Sequence, residues 1–134
     1  MRTAVILCLG LFLHGCRSSP SIDLSGLTIS ELNDKLIDPD PNVRWAAVFE
    51  LGSRDKQAAP AIPNLIKCLK DKNVAVRQVT TQTLGRILVS LDPPYDNDVQ
   101  NAIAALRRAQ SDPDETVRTG ARIALSGVDA KSGR

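Results

Sequence analysis

Histidine is almost missing from this chain of 134 residues: it occurs once, as His14, inside an apolar N-terminal stretch. The rest of the chain therefore lacks the usual general base near neutral pH and the commonest metal ligand. Ser-His-Asp, Cys-His and zinc-hydrolase sites are excluded with it. The remaining carboxylates and lysines are spaced as helix caps and solvated faces, so the expectation is a non-enzyme without cofactor or metal. Aromatics make up only 3%, whereas a β-sandwich draws more heavily on Tyr, Phe and Thr. Neither sign of charge dominates, with 17 Lys and Arg against 15 Asp and Glu. A nucleic-acid footprint needs a dense basic face, and none is expected here. What is present is a globular mixture, 43% hydrophobic and 24% charged, whose apolar part is mostly Leu, Val, Ile and Ala, the residues of packed helices.

The N-terminus has the layout of a secretory signal. Arg2 gives a positive start, Ala4 to Leu13 is apolar apart from Gly10, and the small residues Gly15 and Cys16 follow. Ten residues at about 1.5 Å each cover only half of a ~30 Å hydrocarbon core, too little for a spanning helix. The ending Leu13-His14-Gly15-Cys16 resembles a bacterial lipoprotein signal, with His14 standing where a small residue is usual. The resemblance implies cleavage of residues 1–15 and diacylation of Cys16, an anchor in which every buried methylene contributes about 0.8 kcal/mol. Arg17 after the cysteine, in place of Asp, implies the outer membrane, on its periplasmic face, in a bacterium with two membranes. Cleavage would remove Arg2, Cys8 and His14 and leave 16 basic against 15 acidic residues. Cys68 then has no thiol partner in its own chain, so no disulfide framework is possible.

Three stretches of the chain repeat one another. Asp38, Asp71 and Asp112 each precede an arginine by six residues, at Arg44, Arg77 and Arg118. Each arginine follows a valine (Val43, Val76, Val117) and is followed seven residues later by a leucine (Leu51, Leu84, Leu125). The spacing between copies is 33 and then 41 residues. Such periods mark helical units that bury their apolar faces only by stacking.

The pattern of Asp, Val-Arg, a small residue at Ala47 or Ala121 and a closing Leu-Gly is similar to HEAT repeats, in particular the short type named from phycobilin lyase subunits. Thr80 takes the small position in the middle copy. The resemblance implies an all-α fold, a short right-handed α-solenoid of stacked antiparallel helix pairs with about six helices. Local chemistry predicts the same helices near 28–37, 41–53, 59–70, 74–91, 98–110 and 115–126. Asp40, Asn73 and Asp114 are suited to cap the second, fourth and sixth, and Pro60 and Pro63 are tolerated in the first turn of the third. The expected organisation is a signal peptide at 1–15, a tether at 16–27, the repeat domain at 28–127 and a flexible tail at 128–134.

The recurring Asp38, Arg44, Asp71, Arg77, Asp112 and Arg118 are expected to line up as a structural ladder bridging neighbouring repeats. Their pairing argues against a phosphate site. Function in solenoids falls on positions that break the repeat. Trp45 and Phe49, at i and i+4 away from the core face, stand where the next copy has Gln78 and Gln82; they are candidate partner contacts, or lie beneath a cap formed by residues 17–27. The one long loop, Leu91 to Asp98, lacks the Gly and distal Glu of a calcium loop. It carries Tyr95 as a candidate contact and Asp98 as the expected cap. Lys67 and Arg108 form a candidate basic row for an acidic protein segment, on helices that the resemblance places on the concave surface. Cys68, beside that row, is expected to pack at the edge of the core. The third copy lacks its second helix, which would leave an apolar end covered by the tail, a partner or a second copy.

Together these readings give a lipid-anchored, non-catalytic module of the bacterial envelope that binds or scaffolds another protein. Two other classes stay open: a lyase-like or chromophore-handling protein, implied only by the subfamily's name, and a nucleic-acid-binding HEAT protein, opposed by the charge balance and the export signal.

Overall fold

In a computed structural model, residues 22–133 are described; the signal sequence, Cys16 and the first part of the tether lie outside them. The described residues contain six α-helices and no strand. They are α1 (Ile29–Lys35), α2 (Pro41–Ser53), α3 (Ile62–Cys68), α4 (Val74–Ser90), α5 (Asn97–Ala109) and α6 (Glu115–Ser132), with a 3₁₀ segment (Asp55–Ala61) leading into α3. They form the HEAT-like α-solenoid anticipated from the repeats. Two rows result, α1, α3 and α5 in one and α2, α4 and α6 in the other, with a core of Leu32, Leu51, Leu65, Leu84, Ile87 and Leu106 between them.

The helix starts follow from capping chemistry. Thr28 and Glu31 form a reciprocal capping box at α1. Asp40, Asn73 and Asp114 each accept backbone N–H groups at the first turn of α2, α4 and α6. At α5 the cap is Asp96, which accepts from the Val99 amide at 2.9 Å, and Asp98 is displaced into the first turn. The third predicted helix also begins differently. Pro60 has no amide to donate, and the chain from Asp55 winds as 3₁₀ until Ile62, with Pro63 in the first turn of α3.

The largest departure is at the C-terminus, where α6 continues through the expected tail to Ser132. Gly127 does not end it. Its missing side chain admits Val89, Val128 is buried, and Lys131 donates to the Val89 carbonyl at 2.7 Å and pairs with Asp92 at 3.0 Å. These contacts offset the helix penalty of about 1 kcal/mol for glycine. Nor is the last repeat apolar at its outer end. Arg107, Arg122, Ser126 and Asp129 are exposed there, at the register positions held by Ile66, Thr81, Gly85 and Leu88 one repeat earlier. Water can solvate these polar groups where no further helix packs on them among the described residues.

Candidate binding surface

The ladder is built from forked arginines. Arg44 donates from Nε and Nη2 to the two Asp71 carboxylate oxygens at 2.7 and 2.8 Å, while its Nη1 holds the Asp38 and Pro39 carbonyls of its own turn. Arg77 repeats the arrangement on Asp112 at 2.9 and 3.1 Å, with Nη1 on the Asp71 carbonyl. Both pairs are largely buried. Burial alone would push the Asp71 carboxyl up, but the Arg44 hydrogen bonds and the Asn73 amide reverse this and hold it below the usual carboxylate range. Asp112 is lowered in the same way by Arg77 and the Asp114 amide. These residues join repeats and present no free anion site between them.

Small residues draw α2, α4 and α6 together. Thr83 of α4 donates to the Val48 carbonyl of α2 at 3.0 Å. A β-carbon on Gly85 would stand 2.8 Å from that of Ala124, and one on Gly120 would collide with Thr81 Oγ1. Outside this contact the side chains diverge and leave a groove of about 900 Å³ between α4 and α6. Gly85, Gly120, Ala124 and Gly127 line it, with Gln78, Gln82 and Val89 on the α4 side and Thr119 and Ile123 on the α6 side. Ile123 is 69% exposed.

Trp45 and Phe49 occupy, one repeat earlier, the register of Gln78 and Gln82. Their rings stack at 5.3 Å and 7°, and they remain 40% and 50% exposed. Among the described residues no cap lies over them. Leu24 and Leu27 of the tether pack on the core instead, and Arg54 donates to the Ser25 carbonyl at 2.6 Å. The outward faces of α2, α4 and α6 thus carry an aromatic pair, a groove and an apolar rim in succession.

The other candidates are dispersed. Lys67 and Arg108 stand exposed on α3 and α5, in the opposite row from the groove. Lys67 donates to Asn64 Oδ1 at 2.8 Å and borders a smaller recess of about 530 Å³. Tyr95 does not project from its loop. It folds onto the core, half-buried, with its hydroxyl enclosed and unpartnered among the described residues. Cys68 is buried, and desolvation, then the nearby Asp71 carboxylate, pushes its thiol up to about 11. At pH 8 only about one part in a thousand is thiolate, so the folded protein is expected to resist iodoacetamide at Cys68 and react fully in urea, read by mass spectrometry of the 68-containing peptide. Rapid labelling of the native chain would contradict the packing.

Ile123 and the glycines of the groove floor were not singled out in the sequence. A lone isoleucine on a polar face carries little periodic signal, and Gly85 and Gly127 read there only as markers of repeat ends.

No helix among the described residues is long and apolar enough to cross a membrane, and they contain no cluster of side chains suited to a metal ion. A family model described as HEAT repeats matches residues 29–126. The chain therefore belongs to the HEAT-repeat family, a scaffold-type fold suited to protein interaction. No curated protein matches it.

Proposed function

We propose that this protein is a non-catalytic binding module, tethered through acylated Cys16 at the bacterial envelope, that holds another protein against the outward faces of α2, α4 and α6. The observation that carries the binding reading is the stacked, half-exposed Trp45–Phe49 pair, continuous in register with the α4/α6 groove and Ile123. Rigid aromatic surface lowers the ordering cost of binding, and a stack held by its ladder changes shape little on contact. The tether reading is supported by the Leu13-His14-Gly15-Cys16 sequence, with Arg17 favouring the outer membrane. An anchor there raises the local concentration of the module near membrane partners.

Two measurements in the source bacterium separate the two parts. Palmitate labelling should mark the wild-type chain and be absent from Cys16→Ala; an unlabelled wild type removes the anchor. In-cell crosslinking should recover a partner that Trp45→Ala and Ile123→Glu each weaken by roughly 30-fold, as expected for a contact of about 2 kcal/mol, while Arg108→Ala keeps it. A partner list unchanged by the first two variants removes the surface.

A further inference from the structure

Among the described residues the ladder has two open ends, and they are complementary. Arg118 is held as Arg44 and Arg77 are, with Nη1 on the Asp112 and Pro113 carbonyls at 2.8 and 2.9 Å. In the two earlier arginines, Nε and Nη2 then fork onto the aspartate of the following repeat. Among the described residues no aspartate stands at the corresponding position beyond Arg118, and that half of its guanidinium has no partner there. At the other end, Asp38 Oδ1 accepts the Asp40 amide at 2.9 Å, as Asp71 accepts from Asn73 and Asp112 from Asp114. Asp71 and Asp112 also receive an arginine fork; Asp38 has none among the described residues.

We propose that a second copy of this chain docks head to tail, Arg118 of one copy forking onto Asp38 of the next and extending the ladder across the junction. Each half is already oriented by its own turn, so forming the pair fixes few additional torsions. The charges agree with this occupant. Arg107 and Arg122 are also exposed at that terminal face, against the exposed carboxylate of Asp129, so cations outnumber it at the end that would meet the Asp38 carboxylate. The receiving end keeps half-buried Val43 and Ala46, whose counterparts Val76 and Val79 are covered by the preceding repeat. The described part of the tether is held at the far end of α2 from Asp38, where Arg54 donates to the Ser25 carbonyl. A head-to-tail contact uses different surfaces on the two copies and does not close on itself, so open chains of increasing length are expected instead of a symmetric dimer.

The test is sedimentation equilibrium of the full chain in density-matched detergent. The weight-average mass should rise with protein concentration beyond a dimer and fall with added salt. Asp38→Arg and Arg118→Asp should each abolish this alone and restore it when mixed, because each supplies the charge the other needs. Asp38→Asn and Arg118→Gln, which disturb the turns less, should each weaken the dissociation constant about tenfold or more. Circular dichroism decides whether the charge-reversed chains are folded; if they are not, the two milder variants carry the test. A wild type that stays monomeric, a closed dimer indifferent to both positions, or folded charge-reversed chains that fail to co-assemble overturns the proposal.

Discussion

Replacing Arg77 by alanine is expected to lower the free energy of unfolding by about 2–4 kcal/mol, because it strands the Asp112 carboxylate in a largely buried position. The same side chain also holds the Asp71 carbonyl, so the substitution loosens a turn as well as a junction. Arg118→Ala is the internal comparison. It removes two carbonyl contacts but no ion pair among the described residues, and should cost under about 1 kcal/mol. Urea unfolding of the three chains gives the values, and equal losses for Arg77→Ala and Arg118→Ala would show that the ladder adds nothing. Acid adds a second reading. Asp71 and Asp112 hold their protons less tightly folded than unfolded, so their stabilisation is complete above the unfolded value of about 3.9 and is lost as pH falls through the lower folded values. Arg77→Ala removes the principal cause of the shift at Asp112. Its stability should therefore decline less steeply below about pH 4 than that of the wild type.

Gly85→Leu is expected to be at least as damaging, at about 3 kcal/mol or more. A β-carbon there already lies 2.8 Å from Ala124 Cβ and 3.0 Å from its Cα. The obstacle is partly backbone, so α6 must move away as a body. Gly85→Ala is the graded control. Its gain of about 1 kcal/mol in helix propensity is set against overpacking of about 1–3 kcal/mol, giving a small net loss. At roughly 4 °C per kcal/mol for a domain of this size, the leucine variant should melt more than about 10 °C below the wild type. A melting temperature that does not fall would mean that α4 and α6 are not in the close contact described.

The repeat register was legible in the sequence because one geometric template recurs with the same polar residues. Asp, Val-Arg and Leu located α2, α4 and α6, and Asp40, Asn73 and Asp114 marked their starts. Features that depend on contacts between distant segments were not legible. Asp96 and Asp98 are equivalent as caps until the path of the Leu91–Asp98 loop is fixed. The continuation of α6 past Gly127 depends on Val89 and Asp92, about forty residues earlier. Tyr95 could as well turn outward as inward, and only the neighbouring core decides which. The candidate surface was half legible. Trp45 and Phe49 stood out because glutamines replace them in the next copy, whereas the groove exists only because glycines on two helices face each other.

Arg44 and Arg77 meet their aspartates in nearly the same geometry although the sequence separation differs by eight residues, 27 against 35. The additional length is taken up by α4, which has 17 residues where α2 has 13, and by the loop that follows it before α5, away from the turns that carry the ladder. Pitch and loop length are therefore set independently in this stack. Segments grafted into that loop would hang from a scaffold whose spacing they do not alter, which makes it a natural port for acquiring new specificity.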